Sequence, residues 1–483
     1  MFGRITLTMP ASPAAVGIAE ATAGQFAKEA GIPSAETAVL VRVVRCLVTF
    51  SVERSYEGRG GGDVELSFEL DDLGVAVDVH DWGIPMRRSG GPDGPLPPGL
   101  EEAEAAVQEV HLINLANDGK RIALHLSTPH QIPIAARVID GAADATRSGR
   151  GVAIDDIVIR DATLVDSTAI AQLLYRGYAF NYRHRDFYTP SWVDAQFRGG
   201  HVFSTVAYVD DQLVGHHAIL VDAPNVAAES GVAVIDRAWR GLGIFDVMFA
   251  HTVARARLIG LPALYGRATC SHVYSQRSEL KNGYREAALM LGGSPSVMAQ
   301  EQLGEAEALA VRGANLVSYL RLADQVERSI AAPTVYRDEL ARLFEHLGLV
   351  AVGVDSAAVP AIVPDAVHAE VEDGTAQLWL SGPQDAHELG RLLRSEGARL
   401  ADVLYADVLY ADVDLTLPAD DGVAALRDNG FFLAGLVHAG RDGRDWLRLQ
   451  RPQADAQITG LHLEGEVGRW LLECVLADRE SVS

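Results

Sequence analysis

The residues most able to do chemistry are grouped between 230 and 285. Val232 to Ile235 reads as a short apolar strand. Arg240-Gly241-Leu242-Gly243-Ile244-Phe245 follows, and then a helix in which Ile244/Met248 and Phe245/Phe249/Val253 recur at i, i+4 until Gly260 and Pro262 close it. A strand, a glycine turn and a helix start form an anion site. The first helical N–H groups have no intrahelical partner, the helix dipole puts partial positive charge there, and glycine lets a ligand approach the backbone. The local charge agrees with this. From Arg237 to Arg285 there are eight basic residues (Arg237, Arg240, Arg255, Arg257, Arg267, Arg277, Lys281, Arg285) against Asp246 and Glu279, a local +6. Arg255 and Arg257 can equally line a solvated helix face. His216 and His217 sit next to each other on an expected strand, so one faces each side. Each is read either as pointing at a substrate or as a packed or solvated residue. No His/Asp/Glu group has metal-ligand spacing, so no metal is expected.

With its neighbours, this turn resembles the GNAT superfamily of N-acyltransferases, whose acyl-CoA motif is Arg/Gln-x-x-Gly-x-Gly/Ala. Arg240 and Gly243 match, and Phe245 stands where the motif ends in Gly or Ala. Gln212 to Val221 resembles the strand before the motif, and Ala263 to Cys270 the strand after it. Ser275 to Gly292 resembles the closing helix, with Gly283-Tyr284 at its Gly-Phe/Tyr segment. The resemblance covers about 155–325. It implies acyl transfer from acetyl-CoA, or another acyl-CoA, to an amine of a small molecule or protein. Val232, Val234, Arg240, Gly241, Leu242, Gly243 and Ile244 would hold the acyl donor, with a backbone N–H near Val234 on the thioester oxygen. Glu229 falls within about one residue of a catalytic Glu carried by some members; it would be the general base, or else a loop-end surface carboxylate. The family's usual acid, a Tyr, falls on Glu279, so Tyr274 and Tyr284 are the phenols nearby that can act as acid.

Positioning this site takes a much larger chain. At roughly 150 residues per domain, 483 residues make about three domains. Apolar residues make up 48% and charged residues 22%, which excludes wholesale disorder. The net charge of −24 repels nucleic acid and anionic lipid. There is no apolar run of 18 residues and no compact signal-like segment, so neither a membrane span nor secretion is expected. Cys46, Cys270 and Cys474 are odd in number and far apart, which fits a reducing cytoplasm.

Gly141 to Gly151 reads as part of a linker (131–153) between an N-terminal block, 1–130, and a central block, 154–330; a third block covers 331–483. In the first block, Thr37 to Tyr56 reads as a helix, followed by two strands, DVELSFEL and GVAVDVHD, ending at Asp81-Trp82-Gly83. Gly99 to Ser127 resembles the last helix and strand of the GHKL ATP-binding fold. The block resembles a GHKL ATPase of the anti-sigma-factor kinase type, whose Asp-x-Gly Asp contacts adenine. The positions of that family's catalytic Glu and magnesium-binding Asn fall near Cys46 and Phe50, so kinase chemistry is not expected, and ATP binding is doubtful. Asp81 is read either as that adenine contact or as an Asx-type cap before Gly83. An interaction surface for a protein partner is the other use of the block.

In the third block, Thr334 to Gly348 carries Leu340, Leu343, Phe344 and Leu347 at helical spacing. Asn429-Gly430-Phe431 and Leu447 to Gln450 resemble the second half of a GNAT domain, without an acyl-CoA motif. ADVLY repeats in tandem (401–405, 406–410), an odd period at which a strand swaps faces. Residues 365 to 425 hold thirteen acidic side chains against three Arg, either a lure for a cationic amine or a solvated face. The expectation is an α+β chain: a GHKL-like α/β sandwich, a GNAT domain and a half-GNAT domain. The chain is read as a cytoplasmic acyltransferase; the alternative is a non-catalytic regulatory or scaffold protein whose nucleotide- and CoA-binding folds have decayed.

Overall fold

The computed structural model describes residues 4–57, 61–70, 74–88, 94–107, 110–115, 118–127, 154–180, 182–294, 312–324, 327–353, 368–372, 375–380, 408–452, 456 and 458–482. The expected 131–153 linker lies outside them.

The N-terminal block is a two-layer sandwich. An antiparallel sheet runs in the order β1 (Ile5–Pro10), β2 (Asp63–Leu70), β3 (Gly74–Asp81), β5 (Lys120–Ser127), β4 (Val110–Asn114). Helices α1 (Pro13–Glu29) and α2 (Ser34–Phe50) pack on it. Ala15, Ala19, Ala23 and Ala27, four apart, give α1 a flat stripe that accepts the bulkier Leu40, Val43, Val44, Leu47 and Val48 of α2. The helix expected after Gly99 is only α3 (Glu101–Ala106), and Val110 to Asn114 is strand, as its β-branched residues favour.

The central block runs β6 (Val158–Asp161), α4 (Ser167–Tyr178), α5 (Pro190–Gly199), β7 (Val202–Val209), β8 (Gln212–Leu220), β9 (Ala228–Ile235), α6 (Ile244–Leu258), β10 (Ala263–Thr269), α7 (Tyr274–Lys281), β11 (Arg285–Ser294), β12 (Gly313–Arg321). Among its contacts with the N-terminal block are two sets of hydrogen bonds and the Arg87 guanidinium over the Phe180 ring (5.8 Å). Glu57 accepts hydrogen bonds from Ser191 N (2.6 Å) and Ser191 Oγ (2.8 Å) at the start of α5, and Gln172 Nε2 donates to the carbonyls of Trp82 and Gly83.

After β13 (Arg328–Ile330) at the end of the central block, the third block contributes α8 (Arg337–His346), β14 (Ala351–Gly353), β15 (His368–Glu372), β16 (Thr375–Leu380), β17 (Val408–Asp414), α9 (Asp420–Asp428), β18 (Phe432–Val437), β19 (Trp446–Pro452) and α10 (Glu466–Val482). It is not a separate layer. One twelve-stranded sheet runs β15-β16-β17-β19-β18-β11-β12-β10-β9-β8-β7-β6, and one apolar cluster spans the join. At the join, β11 and β18 pair only at Ala288 and Gly435. A side chain at Gly435 would strike the backbone of Ala287 and Ala288. Buried Gln450 stitches the gap. Its Nε2 donates to Leu289 O (3.0 Å) and Leu433 O (2.9 Å), while its Oε1 accepts from Leu291 N (2.8 Å). The order 9-10-12-11 recurs as 16-17-19-18, each with a parallel first pair and an antiparallel last pair. The second copy of the tandem repeat lies partly on β17, where every residue is buried. A strand with both faces in the core tolerates the face swap that a period of five imposes. The first copy lies outside the described residues.

Candidate functional site

The site begins with a fault in β9. Register with β8 shifts between His216↔Val234 and Ala218↔Gly231, so Val232 and Ala233 bulge opposite His217, with Val232 at φ +50°. A β-branched residue resists that conformation. His216 holds it there: Nδ1 lies 2.8 Å from Val232 O and Nε2 lies 2.9 Å from Ser204 Oγ. Burial pushes the His216 pKa down to about 4, so this buried ring is neutral. The bulge turns β9 away from β10. The parallel pair is joined only at Ala228↔Leu264 and Glu229↔Tyr265, whereas the corresponding β16 and β17 pair over six residues. The second half therefore has no splay between those strands, and it has no glycine motif either.

The splay opens a cavity of about 640 Å3, well within the size of small-molecule sites. Glu229, Val232, Val234, Arg240, Gly241, Gly243, Ile244, Tyr274 and Tyr284 all line it. Leu242 does not line it, because its side chain turns into the cluster of Trp239, Ile244 and Met248. Gly241 (φ +82°) and Gly243 (φ +79°) are exposed, with open space where a Cβ would be. Gly243 is the N-cap of α6, which has no side-chain cap. Among the described residues, the N–H groups of 241 to 245 donate to no backbone carbonyl. The Phe245 ring leans on His217 and Phe249 (centroids 5.3 and 6.0 Å) and leaves the turn open.

The cationic island is weaker than its count of residues. Arg255 pairs with Asp161, Arg267 with Glu229, Arg277 with Glu464 and Lys281 with Asp246. Of the eight, only Arg240 and Arg267 line the cavity.

Glu229 lies at the root of the splay. His184 Nε2 is 3.1 Å from its Oε1, the Tyr265 hydroxyl donates to Oε2 at 3.5 Å, and Arg267 Nη2 is 3.8 Å away. Burial alone would raise its pKa, but Arg267, Arg183 and His184 together outweigh burial and hold the carboxyl well below the usual range. The sequence reading missed Tyr178, Tyr182, Arg183 and His184, which also line the cavity. They come from the end of α4 and the loop after it, about 45–50 positions before Glu229, and no spacing links them to the motif. His217 faces the cavity, between Ser230 Oγ (2.9 Å) and Thr252 Oγ1 (3.1 Å). Burial takes its pKa down to about 3, so it is a neutral wall residue. Tyr274 is exposed at the rim. Tyr284 is buried in the wall, and burial drives its phenol far above the ordinary range although the nearby Ser230 hydroxyl acts the other way. Among the described residues, the buried polar atoms Trp239 Nε1, Glu279 Oε2 and the Tyr284 hydroxyl, all on cavity residues, have no hydrogen-bond partner, as expected where a ligand supplies one. Among the described residues no group of three or more His, Cys, Asp or Glu could hold a metal ion, and no helix is long and apolar enough to cross a membrane.

No family model matches the chain, and no curated protein matches it. Solved structures of acetyltransferases do. One is a Salmonella typhimurium protein assigned to the acetyltransferases and solved with its cofactor acetyl-CoA (14% identity over 35% of this chain and 96% of that one, TM-score 0.30). Others are an N-acetyltransferase from Staphylococcus aureus Mu50 (16%, 35% and 99%, 0.29) and the ribosomal-protein-S18-alanine N-acetyltransferase from Escherichia coli (13%, 35% and 96%, 0.29).

The N-terminal block shows no such opening at Asp81. The carboxylate is fully buried and every approach to it is occupied. Lys120 Nζ donates to Oδ1 at 2.8 Å, Gly83 N donates to Oδ1 at 3.1 Å, and Ser51 and Ser55 donate to Oδ2 at 2.8 and 2.9 Å. The Asx-type cap before Gly83 is present. The Lys120 ammonium stands against the carboxylate that the resemblance would offer to adenine.

Proposed function

We propose that the chain is an acyl-CoA-dependent N-acyltransferase, acting through a GNAT-like central block, with acetyl-CoA as the simplest donor and an amine as acceptor. The observation that carries this reading is the meeting, in one cavity, of an uncapped helix start, a splayed parallel strand pair and an ionised carboxylate. The amides of 241 to 245 receive the diphosphate and Arg240 adds charge at the mouth. The β9 backbone beyond the bulge, around Val234, lies along the thioester and donates to its oxygen as negative charge builds there.

An alkylamine with a pKa near 10 costs about 4 kcal/mol to deprotonate at pH 7. Glu229 receives that proton, through His184 or a water, and the nitrogen attacks the thioester carbon. Because its pKa is depressed, Glu229 stays ionised as the pH falls toward 5 and contributes no acid limb there. Any loss of rate in that range follows the acceptor amine. Glu229→Gln is expected to lower kcat roughly 100- to 1,000-fold and to leave the acetyl-CoA KM within about twofold. Steady-state release of CoA thiol measures both, and an unchanged kcat rules Glu229 out as base. We also infer that the N-terminal block, though GHKL-like in sequence, performs no nucleotide chemistry; it serves as a docking partner for α4 and α5 through Glu57 and Gln172. The third block completes the sheet as a half-GNAT unit without an acyl-CoA site.

A further inference from the structure

We propose that Glu279 is the proton donor to the departing thiolate, an inference that rests on the acyl-transfer reading above. Its carboxyl is placed at the fork of the site. Glu279 rides on α7 and lies over Gly266 of β10, where a side chain would collide with Glu279 Oε1. Gly266 is the residue after Tyr265, the last position at which β10 still pairs with β9. The carboxyl therefore sits where the two strands part. Oε2 is buried, lacks a hydrogen-bond partner and belongs to a residue of the cavity wall.

A carboxyl can donate only while it keeps its proton. The groups facing Glu279 are Glu286 on β11, Tyr284 in the turn before it, Cys270 just after β10 and the Ser318 hydroxyl on β12. One of these is a carboxylate and none is a cation. Burial, opposed by the Ser318 hydrogen bond and reinforced by Glu286, pushes the Glu279 pKa up to about 8. That is close to an alkyl thiol near about 8.5, so the proton moves between nearly matched groups. The buried Tyr284 phenol holds its proton too tightly for this, and Tyr274 stands exposed at the rim.

In the step, the amine nitrogen forms a bond to the thioester carbon, the carbon–sulfur bond breaks, and its electron pair goes to sulfur. The Glu279 O–H proton passes to that sulfur, giving the free thiol, while the amine proton leaves toward Glu229. Exchange with solvent after product release restores both carboxyls, so the net products are one amide and one thiol.

Infrared difference spectroscopy on the full chain tests the placement without an acceptor. The wild type should show a protonated-carboxyl band at pH 7 that titrates near pH 8, shifts when acetyl-CoA saturates the protein, and is absent in Glu279→Gln. Turnover with hydroxylamine as acceptor, followed by thiol release, tests the role. The wild-type rate should fall as pH rises through about 8, because the donor ionises. Glu279→Gln should lose that limb and roughly 100-fold in kcat while keeping its acetyl-CoA Kd. Glu279→Asp, which keeps an acid, should retain the limb at a lower kcat. A band that bound acetyl-CoA does not move, or a Gln variant with the wild-type kcat and limb, overturns the proposal. Failure of the wild type to bind acetyl-CoA at all removes the acyl-transfer reading first, and Glu279's role with it.

Discussion

Saturating acetyl-CoA should raise the melting temperature of the wild-type chain, and Gly243→Trp should abolish the rise. At about 100 times its Kd a ligand stabilises the folded state by ~2.7 kcal/mol, which for a unit of this size is roughly 5–10 °C. Gly243 is the N-cap of α6, at φ +79° with open space beside it, and the unpaired amides of 241 to 245 surround it. An indole there fills the volume that the diphosphate needs. It also brings a backbone cost of about 1–2 kcal/mol for a left-handed non-glycine residue, so a control must carry the same strain. Gly260, at φ +77° beyond the other end of α6 and equally open, supplies one. Gly260→Trp should lower the starting melting temperature as Gly243→Trp does, yet keep the full response to acetyl-CoA. Differential scanning fluorimetry reads both. If the wild type does not respond at millimolar acetyl-CoA, the cleft is no acyl-CoA site.

Lys120→Met should loosen the N-terminal block by about 3–5 kcal/mol, the usual cost of leaving one member of a buried ion pair alone. Lys120 and Asp81 are both fully buried, and burial depresses the lysine pKa while Asp81 pulls it back up. Once the ammonium is gone, the Asp81 carboxylate keeps only hydroxyl and amide donors. Lys120→Met/Asp81→Leu removes both charges and should recover much of the loss, which separates the electrostatic effect from simple repacking. Hydrogen exchange in β3 and β5 reports the change locally within the full chain. Unchanged protection of these strands in Lys120→Met would show that the pair is not what holds them. ATP should leave that protection unaltered, because the Asp81 lone pairs are already engaged.

The glycine turn was legible in the sequence because its signal is local: a strand, two glycines and an i, i+4 helix within thirty residues. The amphipathic pattern of Leu340, Leu343 and Phe344 likewise became α8, with Leu347 at its C-cap. What escaped depends on distant partners or on backbone angles that no residue type announces. The Val232 bulge is such a case, since nothing about valine signals a positive φ; His216 makes it tenable from a neighbouring strand. Tyr182, Arg183 and His184 reach Glu229 only through the way the loop after α4 folds over the sheet. Arg240 and Arg267 look alike in a count of charge, yet only the structure pairs one of them with Glu229. Asp81-x-Gly83 kept its local Asx geometry, while Lys120, 39 residues later, took the carboxylate. The join between β11 and β18 could not be read from either strand, because it turns on the missing side chain of Gly435 and one glutamine from β19.

That join has a consequence for dissecting the molecule. A fragment ending near residue 330 would leave β11 as a raw sheet margin, rich in Ala, Leu and Met and flush with unpaired amides and carbonyls, which recruits strands from other chains. The third block, whatever else it does, is the lid on that margin. A fragment meant to hold the central block alone should therefore retain β18 and β19, or carry a charged replacement on the outward edge of β11.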